Sequence, residues 1–142
     1  AMNVIPGRCE FSTDIRASTN EMRDVAVMGA LSAFNQIARA RGVKVTAEEV
    51  LRMSAIPLSP GLQARLKSSA ERLGVTPLML PSGAGHDAAM MAGLTESAMM
   101  FVRCGNGGGR HPPRENITQE DADFSARVLF DFLMNMAEEY NA

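Results

Sequence analysis

The chain has 142 residues with 14 Lys+Arg against 16 Asp+Glu, a formal net charge of −2, and it is 46% hydrophobic. That length suits one domain or two small lobes and excludes a large multidomain enzyme built from this chain alone. With one Tyr, no Trp and 5% aromatic residues, the sequence lacks the basic footprint and stacking platforms of a nucleic-acid binder, so no nucleic-acid partner is expected.

From 8 to 15 the chain alternates Cys9, Phe11, Thr13 and Ile15 with Arg8, Glu10, Ser12 and Asp14. This is the period of a half-buried strand. Ser18-Thr-Asn-Glu21 has the form of a capping box with Ser18 as N-cap. After it Met22, Val25, Ala26, Met28, Leu31, Phe34, Ile37 and Ala38 recur at helical spacing until Gly42. Residues 43–53 read as a second, less regular strand, with a helix at 47–51 as the alternative. Pro57-Leu-Ser-Pro60 interrupts regular structure and marks a boundary between two lobes. Ser59 as N-cap and Pro60 at the first helical position then open a helix that Gly74 closes. Residues 77–81 read as a short buried strand leading into the glycine loop at 82–85. Residues 86–93 begin a helix, and the wholly apolar run 98–102 is predicted as a fully buried strand. Thr118-Gln-Glu-Asp121 caps a last helix whose Phe124, Val128, Leu129, Phe132, Leu133 and Met136 form one stripe. The order of elements predicts an α/β fold with functional loops at strand ends.

No run approaches the ~18 apolar residues of a membrane span, and no leader-like segment stands at the N-terminus, so a cytoplasmic protein without a membrane partner is expected. Cys9 and Cys104 lack a C-x-x-C spacing and indicate neither a disulfide framework nor a cysteine-only zinc site. Both histidines, His86 and His111, lie in glycine-rich loops. His111 is the strong metal ligand of its loop, or a hydrogen-bonded structural residue. His86 follows Gly83-Ala-Gly85, where it can polarise a substrate carbonyl or serve as an acid; the alternative is a tight turn that uses glycine for its dihedrals. A phosphate cradle has no Gly-Lys-Ser/Thr or G-x-G-x-x-G signature to support it. Arg16 can clamp a carboxylate through two parallel hydrogen bonds, or share a surface ion pair with Asp14.

Taken together, Asn3-Val-Ile-Pro-Gly7, Phe11-Ser-Thr-Asp-Ile-Arg16, Leu80-Pro-Ser-Gly-Ala-Gly-His-Asp-Ala88 and Gly108-Gly-Arg-His-Pro-Pro-Arg-Glu115 resemble the amidase, hydantoinase/carbamoylase family of binuclear zinc amidohydrolases. The resemblance spans this whole chain and roughly the last third of a family member. It implies the second half of a βαβ-type lid and dimerisation domain at 1–57. The C-terminal part of a zinc-aminopeptidase-like catalytic domain would follow at 58–142. By resemblance Asn3, Arg16, Gly85 and His86 are similar to substrate-binding positions, with Arg16 on the substrate carboxylate. His86 is also the catalytic residue, stabilising the developing oxyanion, and His111 is a metal ligand. The residue before that histidine is usually Ser in the family and is Arg110 here, a cation beside a dication site.

The family's other metal ligands and its general-base glutamate lie in a part of the enzyme this chain does not contain. The resemblance therefore implies two divalent ions (zinc, with manganese or cobalt as alternatives), a small ureido or amide acid as substrate, a homodimer, and a fragment inactive by itself. The competing expectation is a non-catalytic dimerisation or interaction module derived from that family.

Overall fold

A computed structural model describes Asn3, residues 5–105 and residues 116–140. Its helices are α1 (Asn20–Arg41), α2 (Pro60–Arg72), the short α3 (Asp87–Met91) and α4 (Gln119–Tyr140). Among these residues the chain divides into two compact units, Ala1–Ala55 with Pro81–Gly83, and Ile56–Leu80 with Ala84–Ala142.

The ends of the helices follow local chemistry, with one shift. Thr19, not Ser18, is the N-cap of α1; its hydroxyl accepts from the Met22 N–H at 3.2 Å. Gly42 closes α1 at φ 64°, and the Val43 N–H reaches back to the Ala38 carbonyl at 3.0 Å. This is the glycine-dependent ending in which the chain turns left-handed to satisfy the last carbonyls. α2 opens as expected, Ser59 accepting from the Leu62 N–H at 3.3 Å with Pro60 in the first turn; its C-cap is Leu73, and Gly74 follows at φ 88°. Thr118 caps α4 by accepting from the Asp121 N–H at 3.1 Å.

In the first unit α1 carries most of the order. Asn20 Oδ1 accepts from the Ala55 N–H at 2.9 Å and from Arg23 Nη1 at 3.0 Å, while Arg23 also donates to the Met53 carbonyl. The first turn of α1 thereby holds the segment 53–55. The expected apolar stripe is mostly exposed: Ala38 is buried and Phe34 half-buried under an edge-on contact with Phe11, but Met22, Val25 and Met28 face solvent.

In the second unit α2 packs on α4. Arg65 pairs with Glu139 at 2.5 Å and Arg72 with Asp131 at 2.5 Å, so the helices run antiparallel. Val128 and Phe132, one turn apart, are the buried residues of α4, and Ser69 and Ala70 those of α2. The Ser69 hydroxyl, fully buried, accepts from Arg72 Nη2 at 3.0 Å, as a buried polar group requires. Leu129 and Leu133 of the predicted stripe are exposed.

The four predicted strands are not found: the described residues contain no strand, and 47–51 is not helical either. The run 98–102, expected to be fully buried, is half-buried at best, with Phe101 exposed, and Leu78, Met79 and Leu80 are exposed as well. A strand exists only when a neighbouring chain segment answers its N–H and C=O groups, and a doubly buried one needs a layer on each face. Among the described residues neither is supplied.

Two outcomes follow from the α2–α4 packing. Phe132→Ala should cost about 3 kcal/mol of stability, whereas Leu133→Ala, at a side chain 53% exposed, should stay within about 1 kcal/mol; urea unfolding of both variants checks this. Arg72, with Ser69 and Asn135, holds the Asp131 carboxyl below the ordinary aspartate range. A carboxyl whose folded pKa is depressed stabilises the fold above its unfolded pKa and loses that contribution as pH falls through the folded value. Stability measured below about pH 4 should therefore drop more steeply in the parent than in Asp131→Asn.

Candidate functional site

Arg16 lies in the irregular segment before α1, two residues after Asp14. Arg16 Nε donates to Asp14 Oδ1 and Oδ2, each at 3.0 Å, and Nη2 to Oδ2 at 2.5 Å. Nη1 donates to the carbonyl of Gly83, which belongs to the same compact unit. Both side chains are exposed. Hydrogen bonding and charge from Arg16 hold the Asp14 carboxyl below its usual range, and Asp14 raises the Arg16 guanidinium in return. The surface ion pair weighed from sequence is thus present, and it engages only part of the guanidinium.

His86 belongs to the second unit, at the N-cap position of α3 with extended backbone (φ −137°, ψ 154°). Its side chain does not cap the helix. The half-buried ring instead stands at 70° to that of Phe101, with centroids 6.2 Å apart. The contact of Phe101 with His86 is not legible in the sequence, where the run 98–102 reads wholly as core and nothing local ties Phe101 to His86.

The glycine loop does not use glycine for dihedrals, contrary to the tight-turn alternative: Gly42 and Gly74 are the positive-φ glycines among the described residues. At Gly83 and Gly85 an added Cβ would meet no atom of the described residues within 4 Å. Asn3 is exposed in a turn.

His111, the expected metal ligand, and Arg110 lie outside the described residues. Among the described residues no three His, Cys, Asp or Glu side chains come together to hold a metal ion, and the ring beside His86 is an aromatic one. These residues do not by themselves fit a metal centre. No helix among them is long and apolar enough to cross a membrane.

Residues 5–135 match peptidase family M20/M25/M40, and the chain belongs to that family. The chain is similar to N-carbamoyl-L-amino acid amidohydrolase of Geobacillus stearothermophilus, 34% identical over 137 residues, which cover 96% of this chain and 33% of the relative. It is likewise similar to a probable allantoate deiminase of Oryza sativa, 34% identical over 145 residues (94% of this chain, 29% of the relative). Allantoate amidohydrolase of Bacillus subtilis is 31% identical over 135 residues, 95% of this chain and 32% of its own. The chain spans about a third of the length of the curated relatives it matches. No solved structure matches it. Membership of M20, a family of metal-dependent hydrolases, points to an α/β peptidase fold, of which the described residues show helices.

Because Gly85 has neither a positive φ nor a crowded Cβ direction, Gly85→Ala should leave stability within about 0.5 kcal/mol of the parent in urea unfolding.

Proposed function

We propose that this chain is the C-terminal third of a metal-dependent amidohydrolase that cleaves linear C–N bonds of a small ureido or amide acid, allantoate or an N-carbamoyl amino acid. The observation that carries this reading is the alignment of nearly the entire chain with relatives bearing those names. In the same reading residues 1–57 are the second half of a lid and dimerisation domain and residues 58–142 the end of the catalytic domain. The enzyme is a cytoplasmic homodimer using two divalent ions, zinc foremost, and His111 is a ligand of one of them.

The roles follow from chemistry. Arg16 offers a planar, permanently charged fork to the substrate carboxylate, and Asn3 adds an amide. At Gly85 backbone can approach the scissile group closely, and His86 polarises its carbonyl and stabilises the oxyanion that develops there. The general base is not among the assigned residues, so the chain alone is expected to be inactive.

The exposed apolar side chains of α1, Val25 and Met28 among them, favour a second reading, a non-catalytic module that assembles through this face. Hydrolysis of allantoate and N-carbamoyl-L-amino acids should be assayed for this chain and for a polypeptide extended to the relatives' full length. Turnover by the extended protein alone supports the enzyme reading; turnover by neither favours the module. In the extended protein Arg16→Ala should raise KM for the carboxylate substrate about tenfold or more, the scale of a lost charged hydrogen bond.

A further inference from the structure

We propose that Asp14 is a positioning residue that presets the Arg16 guanidinium for the substrate carboxylate, with the Gly83 carbonyl as its second tether. The inference rests on the reading of Arg16 as the carboxylate clamp. A guanidinium has five N–H groups. Asp14 takes the one on Nε and one on Nη2, and the Gly83 carbonyl takes one on Nη1. Among the described residues no acceptor takes the second N–H of either terminal nitrogen, so the guanidinium keeps donors for a second carboxylate.

Arginine has a long stem, and ordering it at the moment of binding weakens affinity. Two acceptors on different nitrogens define both the position and the plane of the head group before the ligand arrives. Asp14 and Arg16 are exposed, and an exposed pair contributes little to folding. The effect of Asp14 should therefore appear in ligand binding and not in the melting temperature. Asp14 also carries a negative charge that opposes an incoming anion. The alternative role, a competitor that masks Arg16, predicts the opposite sign.

The test uses the extended enzyme with its carboxylate substrate and the carboxamide analogue of that substrate. Asp14→Ala should raise KM for the carboxylate about 2- to 10-fold with kcat unchanged, the scale of ordering one flexible side chain. Asp14→Asn, which keeps an acceptor oxygen, should recover most of that loss, and neither variant should alter KM for the carboxamide. If Arg16→Ala raises KM while Asp14→Ala lowers it or leaves it unchanged, the positioning role is overturned and the clamp stands. A fall in kcat or melting temperature in place of the KM effect also overturns it. An Arg16→Ala enzyme with unchanged KM removes the clamp itself, and the positioning role with it.

Discussion

Antiparallel packing of α2 on α4 is the contact on which the second compact unit depends. Val128 and Phe132 leave water there, against a helix whose buried residues are as small as Ser69 and Ala70. Small side chains let two helix axes approach closely. The approach in turn buries the Ser69 hydroxyl, which requires a hydrogen-bonding partner. Arg72 supplies it at 3.0 Å while its guanidinium also meets Asp131 across the interface. Apolar burial by Val128 and Phe132 and polar satisfaction by Arg72 thus meet in one interface.

The contrast between helices and strands has a single physical origin. A helix closes its hydrogen bonds four residues back, and its caps are local, so Thr118, Ser59, Gly42 and Gly74 announce their roles in the sequence. Even the shift from Ser18 to Thr19 moves the start of α1 by only one residue. A strand is completed by residues remote in sequence. The alternation at 8–15 and the apolar run at 98–102 record a preference for sheet, but no described segment pairs with either of them. The same reasoning covers the outward Val25 and Met28 of α1: the pattern of a buried face is written in the helix, while burial depends on what lies opposite.

The candidate site divides similarly. Arg16 and His86 were legible as residue types in informative motifs, and the ion pair of Arg16 with Asp14 was legible from their spacing. The Gly83 carbonyl on Arg16 was not, because a backbone acceptor leaves no trace in residue identity. Phe101 beside His86 was not, because membership in an apolar run masks an individual contact. The glycines of the loop looked like turn residues, yet their backbone angles are open to any residue, which shifts their meaning from conformation to room.

Sequence by itself determined the helices, the N-caps of α2 and α4, the glycine that closes α1, the prolines at 57 and 60, the family, and the chemical character of Arg16, His86 and His111. All of these rest on local bonding, on residue chemistry, or on motif order. Tertiary structure alone decided which apolar residues are buried, that α2 meets α4 antiparallel, that 98–102 is not enclosed, and that the Arg16 guanidinium is held from two directions. Each of those depends on segments far apart in the chain coming together, and such encounters are set by the sum of many weak non-local contacts that no short stretch of sequence encodes.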